Sequence, residues 1–218
     1  MNTAADRHEE RKKLVEMLVK RGDIQDERVI KAMLEVKRHL FVPAHLQHLA
    51  YVDSPLEIGY GQTISAPHMV AIMAEKLCLR EGHKVLEIGA GSGYHAAVVA
   101  HIVGESGHVY SVERVPELAN FARENIRKAA LDKRITVVVG DGSKGLPKYA
   151  PYDRIYATCA APEIPKPLIE QLRQGGKLLL PVGGSFYQEL ILVEKNDKIR
   201  KKNYGGCVFV PMIGEWGY

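Results

Sequence analysis

Only three cysteines, Cys78, Cys159 and Cys207, occur in the 218 residues. They are far apart and odd in number. That pattern excludes a disulfide framework and a zinc cluster, and it points to small thiols in a reducing compartment. No apolar run approaches the ~20 residues that cross a bilayer. The charged N-terminal stretch also lacks the apolar core of a signal peptide, so a cytoplasmic chain with no membrane partner is expected. Charge of one sign is missing too: 30 Lys and Arg against 26 Asp and Glu leave a net charge of +4, too mild for a nucleic-acid-binding signature. Internal repeats and low-complexity segments are absent. What remains is an ordinary globular composition, 46% hydrophobic and 26% charged, in a chain long enough for one domain with a real core.

Residues 7–20 read as an amphipathic helix with Leu14, Val15, Leu18 and Val19 on one face. Gly22 ends it, and Asp26 opens a second helix faced by Val29, Ile30, Met33 and Leu34. Arg11, Lys12, Lys13, Lys20 and Arg21 near the first helix read as a solvated face. Residues 44–62 show no sustained period and are expected to form an irregular covering layer. A helix follows with Pro67 in its first turn and Ser65 or Ala66 as its cap. From residue 84 strands and helices alternate: strands at 84–88, 108–113, 135–139, 153–158 and 177–182, with helices at 94–103, 116–130 and about 165–173. That rhythm predicts a doubly wound, mostly parallel sheet with helices on both faces. Segments 188–195 and 205–211, separated by a charged turn at 196–202, add an antiparallel C-terminal hairpin and bring the sheet to seven strands.

The chemistry-bearing stretch is Lys-Val-Leu-Glu-Ile-Gly-Ala-Gly-Ser-Gly at 84–93. A short apolar strand runs into Gly89, Gly91 and Gly93 and then a helix, which lets a ligand approach bare backbone at the carboxyl end of a parallel sheet. Two readings compete. Gly91-Ser-Gly-Tyr-His-Ala96 satisfies the loose dinucleotide pattern, so an NAD-dependent oxidoreductase stays open. Glu113, about 20 residues on, would bind ribose hydroxyls in either case. Glu87, two residues before the first glycine, is expected to face the crevice, where it would repel a pyrophosphate and suit a cationic amine. Asp141, within Gly-Asp-Gly, is placed to accept from an adenine amino group, with Gly142 beside it. Acids around a glycine turn fit S-adenosylmethionine, a ligand with a sulfonium, an ammonium and no phosphate. The helix start after Ile64 offers free N–H groups and a positive dipole end that suit a carboxylate, and His68 one residue inside it could reach a ligand.

Leu-Glu-Ile-Gly-Ala-Gly-Ser-Gly, Ser-Val-Glu and Val-Gly-Asp-Gly resemble successive motifs of class I S-adenosylmethionine-dependent methyltransferases, which implies a Rossmann-like fold. Gly-Gln-Thr-Ile-Ser-Ala-Pro-His-Met at 61–69 more narrowly resembles the signature of the protein-L-isoaspartate O-methyltransferase family. Ala-Pro-Tyr-Asp at 150–153, Pro-Lys-Pro-Leu-Ile-Glu-Gln-Leu at 165–172, Gly-Gly-Lys-Leu at 175–178 and Val-Pro-Met-Ile-Gly at 210–214 extend the likeness from about Leu40 to the end. Cys159 departs from the family, which usually has Ala or Gly there.

The resemblance implies methyl transfer to the free carboxylate of L-isoaspartyl residues in damaged proteins and peptides. It gives Ser65 the catalytic place and makes Gln62 and His68 the edge of the cofactor pocket. Thr63, Ile64 and Ala66 would line the peptide side, with the extended backbone from Val210 to Ile213 as an edge for the peptide to join. A single domain is expected, with 1–62 as cover, 63–183 as the cofactor-binding core and 184–218 as hairpin and substrate edge, working as a monomer. Another class I methyltransferase, acting on RNA or a small molecule, is the alternative that keeps the cofactor and loses the meaning of 61–69.

Overall fold

The computed structural model describes residues 7–218. Helix α1 (His8–Arg21) ends at Gly22 in a left-handed conformation (φ 79°), the cap that a glycine supplies without a Cβ penalty. Helix α2 (Glu27–Glu35) is capped by Asp26, whose side chain accepts from the Arg28 amide. Leu14, Val15, Leu18, Val29 and Met33 are buried as their spacing requires, whereas Val19 is exposed. Two 3₁₀ turns, Arg38–Phe41 and Ala44–Leu49, follow.

The expected irregular layer contains a hairpin, β1 (Leu56–Gly59) and β2 (Gln62–Ile64). Its turn passes through Gly59, Tyr60 and Gly61, all with positive φ. Four- and three-residue strands are too short to show a period, which is why the pattern misses them. Helix α3 (Pro67–Leu77) comes next, with Pro67 in its first turn and Val70, Ala71, Met73, Ala74 and Leu77 buried.

The main sheet has seven strands: β3 (Lys84–Ile88), β4 (His108–Glu113), β5 (Ile135–Val139), β6 (Tyr152–Ala157), β7 (Leu172–Gly183), β8 (Gln188–Lys195) and β9 (Ile199–Cys207). Their order is β5-β4-β3-β6-β7-β8-β9, parallel from β5 through β7 and antiparallel in the last two pairings. Helices α4 (Tyr94–Val103), α5 (Pro116–Lys128) and α6 (Lys166–Glu170) make the crossovers. Val85, Leu86, Val109, Ile155, Leu178 and Leu179 are fully buried, and each such residue contributes ~1.5–3 kcal/mol over leaving it in water. The N-terminal helices share one continuous core with the sheet through Leu18, Val29, Met33, Val99 and Leu118.

Two boundaries differ from expectation. The helix before β7 is one turn and a half, and β7 begins at Leu172, running through the two glycines with Gly175 at φ 77°. The hairpin turn is tight, at 196–198, and the charged run Arg200-Lys201-Lys202 is strand, not turn, pairing with Glu194, Val193 and Leu192. It lies at the edge of the sheet with every one of these side chains exposed, so no alternation marks it, and its lysines suit an edge that should not recruit another strand. Residues 208–213 are extended but outside the ladder, bridging to Ala160 through Pro211. No helix among the described residues is long and apolar enough to cross a membrane.

Candidate active site

Strand order reverses between β3 and β6, the place where an open parallel sheet leaves a crevice at its carboxyl edge. Gly89 after β3 and Thr158 after β6 meet there: the Thr158 hydroxyl donates to the Gly89 carbonyl at 2.6 Å. An open cavity lies beside them. Gln62, Thr63, Gly89, Gly91, Glu113, Gly142, Val210 and Ile213 line it, all expected from sequence. Ile88, Val112 and Val115 add apolar walls that sequence reading did not single out, Pro211 and Met212 belong to the expected 210–213 edge, and Thr158, Arg114 and Cys159 complete it. Burial pushes the Cys159 thiol well up, so it stays protonated and inert. A second recess of about 280 Å³ shares Thr63, Gly89, Gly91 and Thr158 with the first and reaches Ile64, Ser65, Ala90, Ser92 and His95.

Glu113 is nearly buried at the end of β4 and faces the cavity. It accepts from the Gly91 amide at 2.9 Å and the Val115 amide at 3.0 Å, so it fixes the glycine turn while keeping lone pairs for a ligand. Gly91 has φ 53°, and a Cβ there would press on Ile58.

Ser65 stands between β2 and α3. The N-cap of α3 is Ala66, with no side-chain cap bond, and the Ser65 hydroxyl has no hydrogen-bond partner among the described residues. Capping therefore does not account for the serine. Ala66 itself is buried and touches neither cavity.

Besides Ala66, four expected cofactor contacts are placed elsewhere. Glu87 does not face the crevice. It is fully buried on the α4 side of the sheet, where the hydroxyls of Ser111 and Tyr156 donate to it (Tyr156 at 2.8 Å), as does the Ala96 amide in the first turn of α4. Burial, with Glu113 nearby, pushes its carboxyl up to about 8 despite these three donors. Beside it the Ser92 hydroxyl accepts from the Tyr94 amide at 3.3 Å. Asp141 is the second correction: Ser143 donates to it from both backbone (2.9 Å) and hydroxyl (2.6 Å), and the Glu215 amide donates at 2.9 Å, so its carboxylate ties down the C-terminal segment. Gly142, not Asp141, reaches the cavity. Gly93 caps α4 at φ 84° and packs against Ile126, away from both cavities.

His68 is the fourth. Its amide and Nδ1 both lie 2.9 Å from one oxygen of Asp53, whose other oxygen accepts from Arg21 at 2.8 Å. Asp53, which sequence reading missed because it is remote in the chain, thus supplies the α3 cap. Burial alone would raise the Asp53 carboxyl, but hydrogen bonds from His68 and Arg21 outweigh it and hold the group below its ordinary value. A depressed carboxyl contributes stability above the unfolded value near 3.9 and loses it as pH falls through the folded one. Asp53→Ala is therefore expected to lower Tm by ~2–8 °C at pH 7, for the loss of a cap worth ~1–2 kcal/mol. The gap from wild type should hold from neutrality to about pH 5 and narrow progressively below about pH 4, as pH falls through the depressed folded value, in thermal melts.

A doubly wound, mostly parallel seven-stranded sheet that ends in an antiparallel hairpin, with a glycine turn at its switch point, has the fold of a class I methyltransferase. The family model for protein-L-isoaspartate(D-aspartate) O-methyltransferase matches residues 9–217, and the chain belongs to that family. It is 60% identical over 210 residues to the protein-L-isoaspartate O-methyltransferase of Methanopyrus kandleri, covering 95% of this chain and 93% of the relative. It is 56% identical over 219 residues to that of Hyperthermus butylicus, covering 96% and 91%. Among solved structures, the Plasmodium falciparum protein-L-isoaspartate O-methyltransferase in complex with S-adenosyl-L-homocysteine superposes with a TM-score of 0.84 at 29% identity. That match covers 93% of this chain and 97% of the other.

Proposed function

We infer that this protein moves a methyl group from S-adenosylmethionine to the free carboxylate of L-isoaspartyl residues in damaged proteins and peptides, with Ser65 aiming the attacking oxygen. The observation that carries this reading is the unpartnered Ser65 hydroxyl beside the glycine turn, at the start of a helix that another residue caps. The residues present fit the donor. Glu113 would hold the ribose hydroxyls, Ile88, Val112 and Met212 would flank a flat base, and the second recess has polar groups for a charged tail. When bound, the donor supplies an electrophilic methyl group on a sulfonium.

A substrate carboxylate with pKa about 4 is already ionised at neutral pH, so no residue has to act as a base. Opposite charges disappear in the transfer, and a residue that strongly stabilised either ion would slow it. A neutral hydroxyl donor is suited to this: Ser65 orients one carboxylate oxygen while leaving the other reactive. Thr63 and Ile64 cover the site and exclude water. Such alignment can supply ~7–11 kcal/mol of the barrier.

The backbone at Val210 to Ile213 would receive the peptide. The Ala160 amide donates to the Val210 carbonyl at 2.8 Å, and the Met212 amide to the Ala160 carbonyl at 2.7 Å. The amides of Val210 and Ile213 donate to none of the described residues, which leaves an edge for an added strand. Main-chain pairing tolerates varied side chains, as damaged proteins demand. The chain is read as a cytoplasmic monomer, in keeping with three free cysteines.

The test is labelled methyl transfer from S-adenosylmethionine to an isoaspartyl peptide, its normal aspartyl twin and bulk tRNA. Label is expected in the isoaspartyl peptide alone. Label in tRNA, or equal label in both peptides, sinks the reading.

A further inference from the structure

His95 is the second residue of α4 and has only 6% of its surface exposed, yet neither ring nitrogen has a hydrogen-bond partner. The ring lies against Tyr156, centroids 4.4 Å apart, and no carboxylate reaches it. Burial pushes its pKa down to about 3, so the imidazole is neutral. A neutral imidazole carries one N–H and one lone pair, and leaving both unmatched in a buried place is costly. Nearby, Glu87 is satisfied by Ser111 and Tyr156, and Asn125 through the Ser92 carbonyl at 3.1 Å, while the other unmatched buried group, the Arg38 guanidinium, stacks on the Tyr94 ring at 4.9 Å. If space filling were the only requirement, a phenyl ring would meet it with no orphan atoms.

The position of the ring says what it could serve. His95 lines the second recess together with Ser65, Ala90, Gly91, Ser92 and Thr158. That recess continues from the cavity where Glu113 waits for a ribose. A nucleoside pinned there by its sugar points its 5′ substituent over the glycine turn toward His95. In the donor that substituent ends in an amino acid, whose α-carboxylate is the anion.

We propose that His95 is a donor-recognition residue whose imidazole N–H hydrogen-bonds the α-carboxylate of the methyl donor's amino-acid tail. This rests on the donor being S-adenosylmethionine and adds a residue that the motifs do not single out. The residue would discriminate the complete donor from nucleosides that share its base, ribose and sulfur but lack the tail.

The experiment uses calorimetric titration of the full chain with two probes. S-adenosylhomocysteine carries the tail; 5′-methylthioadenosine keeps the nucleoside and sulfur without it. His95→Phe retains an aromatic ring against Tyr156 and removes the nitrogens, while His95→Gln restores a donor. His95→Phe is expected to weaken S-adenosylhomocysteine by about 10–100-fold, the range for a hydrogen bond to a charged group, and methylthioadenosine by no more than about twofold. His95→Gln should recover most of the loss. The ligand-free Tm of His95→Phe should match or exceed wild type, because an unmatched polar group has been removed. Equal weakening of both probes would mean a distorted pocket, and S-adenosylhomocysteine binding at wild-type strength would mean a merely buried ring; either overturns the proposal. Wild-type protein that binds neither probe overturns the donor assignment itself, so the two failures are told apart.

Discussion

Glu113→Ala is expected to weaken S-adenosylhomocysteine binding by about 10²–10³-fold, equivalent to ~3–4 kcal/mol. Two losses combine. The carboxylate can accept from both hydroxyls of a ribose, and charge-assisted hydrogen bonds are worth ~1.5–3 kcal/mol each. It also holds the amides of Gly91 and Val115, so removing it frees the turn over which the ligand must lie. Glu113→Gln separates the contributions. An amide keeps one acceptor oxygen but turns an NH₂ toward one of those two backbone donors, so it should lose about tenfold to a hundredfold, between wild type and alanine. Calorimetry reads both, and a loss of less than about threefold in the alanine variant would remove Glu113 from the cofactor site. The melting temperature of the ligand-free variants separates the turn-holding role from the ligand contact, because only the former acts without ligand.

The parallel core was legible because its strands are short runs rich in apolar and β-branched residues: Val85-Leu86, buried on both faces, and Ile135 to Val139 at the sheet edge, with start signals such as Pro116 for the helices between them. The glycine turn and Glu113 followed from position at strand ends. Direction was not legible. Glu87 sits at a strand end just as Glu113 does, but side chains alternate along β3, and its parity with Val85 sends it toward α4 instead of the crevice. Deciding between the two faces requires knowing which helix packs where, information that lies in the tertiary contacts. Asp141 is similar: its partners, the amide of Glu215 and Ser143, include a residue more than seventy positions away. Gly93 was read with Gly89 and Gly91 as backbone for a ligand to approach, but it caps α4 and its neighbour is Ile126. His95 left no signal in the sequence at all, since a histidine on an apolar helix is more often a satisfied core residue. Only the structure shows that both its nitrogens lack partners.

Ser65→Ala should leave the fold untouched and damage the chemistry. Asp53 and not Ser65 holds the first turn of α3, and the Ser65 hydroxyl has no hydrogen-bond partner among the described residues, so Tm is expected within about 1 °C of wild type, as for a change that removes no native hydrogen bond. Affinity for S-adenosylhomocysteine should also be unchanged, because ribose and tail are held by other groups. The loss falls on kcat/KM for an isoaspartyl peptide, by about 10–100-fold, the value of one hydrogen bond to a charged carboxylate. The partition between constants carries further meaning. A hydroxyl that only tethers substrate raises KM and leaves kcat alone, whereas one that aims the attacking oxygen lowers kcat. A lower kcat is expected. The pH profiles of variant and wild type should run parallel, since a hydrogen-bond donor introduces no titration of its own, while a serine activated by a base would. A variant with wild-type kcat, or one whose pH profile changes shape, would contradict the aiming role.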